Sequence, residues 1–151
     1  MPDKKKEKET QSSRRFSFPM FSSQDTSEKT TPKFTLANNV IRNSGKKIKF
    51  KQFTEEGYEH FHIGVWVESD PPRAAYHIKK VVYQLHPTFK KRNRESRNRR
   101  NDFSITFWSW GTFKIRAEVH MMDGSVTEIF HDLEYDLPHD DGSNYIDVSA
   151  I

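Results

Sequence analysis

Beyond residue 45, apolar side chains recur at every second position in run after run, the period of a strand that buries one face. In the stretch from Phe61 to Val67, the residues Phe61, Ile63, Val65 and Val67 share a face, and Asp70-Pro71-Pro72 ends the run because proline cannot donate to a ladder. From Lys46 onward, Ile48, Phe50 and Gln52 alternate with Lys47, Lys49 and Lys51. Tyr76 to Leu85 reads as a third strand. Phe103, Ile105 and Phe107 form another set, and Phe113, Ile115, Ala117 and Val119 a further one; a glycine between them, within Trp108 to Thr112, marks a turn or bulge. Asp123-Gly124 is a strong hairpin signal that folds Val126 to Phe130 back on the preceding strand. Leu133 to Leu137 and Tyr145 to Val148 read as weaker strands around a turn at Pro138 to Gly142, and Phe34 to Ile41 is ambiguous. About seven or eight short strands without helical periodicity predict an all-β fold, an immunoglobulin-like β-sandwich, with an open barrel as the alternative.

The chain of 151 residues fits one domain and a tail. Residues 1–33 hold too few large apolar residues to offset the entropy of ordering and are expected to be a disordered polar tail. The domain is expected over 34–151, with clear strands from 46. The chain has no cysteine, which removes disulfides and thiolate chemistry. It has no apolar run of membrane-spanning length and no apolar signal segment near Met1, so a cytoplasmic protein is expected, or a nuclear one in a eukaryotic host. Charge is divided unevenly. All 25 Lys and Arg lie at or before Arg116, with 12 acids, whereas Ala117 to Ile151 carries nine acids and no base.

Little in the chain points to catalysis. The glycines form no phosphate-binding pattern, no nucleophile elbow accompanies His131-Asp132, and His60 with His62 lacks a third ligand at a recognisable spacing. No enzyme activity, metal or cofactor is therefore expected. One charged feature stands out in the connector between two strands, where Lys90, Lys91, Arg92, Arg94, Arg97, Arg99 and Arg100 face Glu95 alone. Such a cluster reads either as a solvated loop or as an electrostatic contact for nucleic acid or an acidic protein.

The segments VVYQLHPTF at Val81 to Phe89, FSITFWSWGTFKIRAEVHMMDG at Phe103 to Gly124 and HDLEYDL at His131 to Leu137 resemble a YEATS domain, most closely the prokaryotic branch. The resemblance spans roughly Lys46 to Asp147. It implies an immunoglobulin-like sandwich and a noncatalytic binding module; eukaryotic members read acylated lysine on histone tails, and prokaryotic ones tend to be joined to signalling or membrane modules. It further implies that His86, Thr88, Phe89, Trp110 and, from the loop before Phe61, Tyr58 line an acyl-lysine channel. On that reading a flat acylamide lies between Phe89 and Trp110, with the Thr88 hydroxyl and backbone donors near Ser109 to Gly111 satisfying its amide. Ser109 stands where eukaryotic members usually carry glycine, and its side chain would narrow the channel or turn the backbone. The competing reading makes Phe89, Trp108 and Trp110 a hydrophobic plug at the end of the sandwich.

Overall fold

Val65 is fully buried, and its flanking inward positions Ile63 and Val67 are buried with it, so the alternation of Phe61 to Val67 does set the face of a central strand. The computed structural model describes residues 31–53 and 57–149; most of the expected tail lies outside the described residues. The described strands are β1 Lys33–Val40, β2 Ile48–Gln52, β3 Glu59–Asp70, β4 Ile78–Gln84, β5 Asn93–Ser96, β6 Ile105–Ser109, β7 Lys114–Met121, β8 Val126–Asp132 and β9 Tyr145–Asp147. Two short 3-10 turns, Pro72–His77 and Arg99–Asn101, complete the regular structure. Among the described residues, no helix is long and apolar enough to cross a membrane.

The strands form two sheets, an immunoglobulin-like sandwich. β3 is the spine of the first. β6 pairs along one edge, with Ile63 opposite Phe107. The other edge is shared: β1 runs along Ile63 to Asp70 and β2 along Glu59 to Phe61, so the two act as one strand interrupted by an excursion at residues 41–47. β9 adds a parallel strand outside β2. The second sheet has the order β5-β4-β7-β8, all antiparallel.

Inward residues of both sheets meet in one core that includes Phe34, Ile63, Val81, Tyr83, Ile115 and Val119. A register shift between Ile78 and Lys80 lets both Ile78 and Val81 face inward, although they are three residues apart. The Tyr83 hydroxyl donates to the Phe103 carbonyl at 2.6 Å, and burial pushes its pKa well up, so it stays protonated. That bond holds the point where the chain crosses from the second sheet to the first. There Asp102 and Phe103 both adopt left-handed φ values, 59° and 57°, which L residues avoid unless the surroundings enforce them.

Three expectations need correction. The Lys90–Arg100 connector is not all loop: Asn93–Ser96 is an edge strand on β4, hidden from a periodicity search because it has no apolar residue. Its charged side chains are what an edge strand carries to avoid pairing with other chains. Leu133 to Leu137 is not a strand; beyond β8 the chain makes one further ladder-like bond, Leu133 N–H to Phe113 O at 2.9 Å, and Leu133 and Tyr135 still face inward without a partner strand. Tyr76 and His77 belong to the 3-10 turn started at Pro72, so the third predicted strand begins at Ile78. The ambiguous Phe34 to Ile41 falls largely in β1.

Candidate ligand-binding cleft

The β4–β5 hairpin closes tightly, with Leu85 N–H donating to Arg92 O at 2.8 Å and Phe89 N–H to His86 O at 3.0 Å. Its tip presents His86, Thr88, Phe89 and Lys90. Thr88 N–H donates to His86 Nδ1 at 3.2 Å, and Thr88 Oγ1 lies 2.9 Å from the same nitrogen. A ring nitrogen that receives a backbone N–H is an acceptor, so the Thr88 hydroxyl donates to it as well and the imidazole hydrogen sits on Nε2. Thr88 Oγ1 is thereby left as an acceptor for anything that enters.

The β6–β7 connection is shaped by Ser109. Its hydroxyl donates to Gly111 O at 2.7 Å and accepts Gly111 N–H at 3.3 Å, while the Tyr135 hydroxyl reaches the same carbonyl at 3.4 Å. Burial raises the Tyr135 pKa, so this phenol also stays a donor. Ser109 is buried, at 4% exposure, and the turn it holds pushes Trp110 outward to 58%. The hydroxyl thus works as a local brace.

Between the hairpin tip and this turn lies a cleft of about 840 Å³, within the ~300–1,000 Å³ of small-ligand sites. His86, Thr88, Phe89 and Lys90 line one side, Trp108 to Phe113 the other, and Phe53 with His60 close the end. Among the described residues, no Asp or Glu lines it. The Phe89 ring is anchored in the core, edge-on to Phe107 at 5.5 Å and 5.4 Å from Phe113. Trp110 instead stacks on Tyr58, with centroids 4.9 Å apart and planes 14° from parallel. The two rings expected to face each other therefore line the same cleft but have different partners.

The family model described as the prokaryotic YEATS domain matches residues 61–134, the span that supplies both loops of the cleft. Over that span, just under half of the chain, the sequence is similar to the prokaryotic YEATS domain. Solved structures similar to this chain include the Yaf9 YEATS domain bound to H3K27ac (23% identity, 74% of this chain and 78% of that one, TM-score 0.49). The Yaf9 YEATS domain recognizing H3K122suc peptide matches at 20% identity over 71% of this chain and 78% of that one, with a TM-score of 0.47. The yeast AF-9 homolog protein Yaf9 matches at 21% identity over 68% and 69%, with a TM-score of 0.48.

His86, Thr88, Phe89, Ser109, Trp110 and Gly111 line one cleft, and Tyr58 joins through its stack on Trp110. Of the charged connector, only Lys90 reaches the lining. Arg92 Nε donates to Leu85 O at 2.8 Å, Arg94 bonds Lys91 O and Thr106 O, Arg97 pairs with Glu95, and Arg99 sits 4.4 Å over the Tyr76 ring. Lys91 and Arg100 are exposed outside the cleft. The lining residues not among the candidate ligand contacts are Phe53, His60, Trp108, Thr112 and Phe113; Trp108 and Thr112 did carry a signal, as part of the aromatic turn that interrupts the strand pattern, and Phe113 follows Trp110-Gly111-Thr112 in the segment that resembles the family. His60 and His62 are engaged by aromatic rings, His60 edge-on to Phe53 at 4.4 Å and His62 flat on Trp108 at 4.5 Å. Among the described residues, no cluster of three metal-ligating side chains is present.

Proposed function

We propose that this YEATS-like domain is a noncatalytic reader that takes an acylated lysine, or an acylamide of the same shape, from a protein partner. The observation that carries the reading is the composition of the cleft: aromatic walls from Phe89, Trp110 and Phe113, an acceptor oxygen at Thr88, and no carboxylate among the described lining residues. A lysine ammonium placed there would lose its hydration without gaining a counter-charge, at several kcal/mol. Acylation removes the charge, and the amide N–H it creates can donate to Thr88 Oγ1, so the polar group is not left unpaired. The flat acyl plane suits the aromatic walls, and the anchoring of Phe89 on Phe107 and Phe113 prepares one wall before a ligand arrives. Similarity to a family of binding modules supports the same direction.

The test is a titration of acetyl-lysine, crotonyl-lysine and unmodified lysine peptides by calorimetry and NMR. The expected result is saturable binding of an acylated peptide, at least tenfold tighter than its unmodified form, with shifts at Thr88, Phe89 and Trp110 and loss of binding in Trp110→Ala. Equal affinity for acylated and unmodified peptides would overturn the reading.

A further inference from the structure

The cleft opens onto the outer face of the first sheet, and the described charges on the part of that face beside the cleft are cationic. Phe53, His60 and Trp108 belong to both, lining the cleft and continuing the sheet surface. Register sets the rest: the positions alternating with Phe50 and Phe61 are Lys49 and Lys51 on β2 and His60 and His62 on β3, and Trp108 lies opposite His62. Lys51 Nζ sits 4.6 Å from the centre of the Trp108 ring and 5.8 Å from that of Phe53, holding an ammonium at the aromatic rim. Lys90 adds a second from the hairpin tip. The described acids on this outer face of β3 are Glu68 and Asp70, six and eight residues beyond His62, roughly 20 Å or more along an extended strand. Glu59, at the near end of β3, has the opposite parity and acts on Tyr145.

We infer that the partner segment is acidic, and that Asp or Glu residues flanking the side chain inserted in the cleft lie across Lys51, Lys49 and Lys90. This rests on the acyl-lysine reading of the cleft and names the surroundings of the lysine it takes. Charge complementarity chooses the occupant: a segment rich in Lys or Arg would bring like charges onto the Lys49, Lys51 and Lys90 ammoniums, whereas carboxylates meet three cations, of which Lys51 is already held against aromatic faces. The acidic end of a second copy of this chain does not fit, because Ala117 to Ile151 contains no lysine to insert.

The experiment crosses two variables in one peptide set: acetylated or unmodified lysine, with aspartate-rich, Gly-Ser or arginine-rich flanks. Among acetylated peptides, aspartate flanks are expected to bind about five- to tenfold tighter than Gly-Ser flanks at ~50 mM salt, a gap that closes toward ~500 mM. Arginine flanks are expected to be the weakest. In the double variant Lys51→Glu, Lys90→Glu the order of flanks reverses, with melting curves verifying the fold. No difference between flanks for the acetylated peptides overturns the acidic partner while leaving the acyl preference standing. Dependence on flanks without dependence on acetylation overturns the cleft reading instead. A single-stranded oligonucleotide that displaces the acetylated acidic peptide at lower concentration than the unlabelled peptide would show that the cations serve nucleic acid, and that too overturns the inference.

Discussion

Trp110 and Phe107 are both aromatic residues of the β6 region, yet they stand in opposite environments. Trp110 is 58% exposed and Phe107 3%. Trp110→Ala should cost about 1 kcal/mol, most of it the stack on Tyr58, whereas Phe107→Ala should cost about 3–5 kcal/mol by opening a sealed cavity beside Phe89 and Phe113. Urea unfolding of the two variants measures the contrast, and equal losses would mean that Trp110 is a plug. His62 makes a different prediction. Burial first, then Lys49 and Lys51, hold its pKa below the ordinary value. The folded state therefore takes up the proton less readily than the unfolded chain, so its stabilising share is complete above the unfolded value of ~6.5 and declines as pH falls below it. His62→Phe keeps a flat ring on Trp108 and removes the titration. Its drop in melting temperature between about pH 7.5 and pH 5.5 should be smaller than that of the parent protein. It should not vanish, because burial also lowers the pKa of His131.

At the scale of elements, the β4–β5 hairpin shows how a basic connector becomes a scaffold. Arg92 and Leu85 are joined twice, by Leu85 N–H to Arg92 O and by Arg92 Nε to Leu85 O, both at 2.8 Å. These bonds close the loop that carries His86 to Lys90. Arg92→Ser should therefore cost about 1 kcal/mol and broaden the NMR signals of Thr88 and Phe89. Arg97→Ser removes an exposed pair with Glu95 and should leave stability within measurement error. Identical behaviour of the two variants in urea titration and in the spectra of the loop would show that the hairpin does not depend on Arg92.

For the whole molecule, the boundary of the domain is the testable quantity. β1 contributes Phe34 and Leu36, each 7% exposed, to the core. A chain starting at residue 31 keeps every core residue named above and should melt with the parent protein. A chain starting at Lys46 loses both side chains, about 1.5–3 kcal/mol each, together with the ladder along Ile63 to Asp70, and should unfold without cooperativity. Differential scanning calorimetry on the two truncations decides the matter; an unchanged melt of the shorter chain would make β1 dispensable.

Alternation in Phe61 to Val67, Ile115 to Val119 and Ile48 to Phe50 was enough to read the inward face of three strands, because burying every second side chain is a local property of an extended chain. The motifs at His86 to Phe89 and Trp110 to Gly111 named residues from both loops that border the cleft, but not Phe53 or His60 at its end. Contacts between distant segments were not legible. β5 has no apolar residue to reveal it, and its place follows from pairing with β4. Leu133 to Leu137 alternates like a strand, but beyond the Leu133 N–H bond to Phe113 O no described neighbour offers it a ladder. Tyr58 stacking on Trp110, Phe89 seated on Phe107 and Phe113, and Lys51 over Trp108 join residues 18 to 57 positions apart. Such neighbours are set when strands pair and two sheets close on one core, and no spacing within a single strand records that closure.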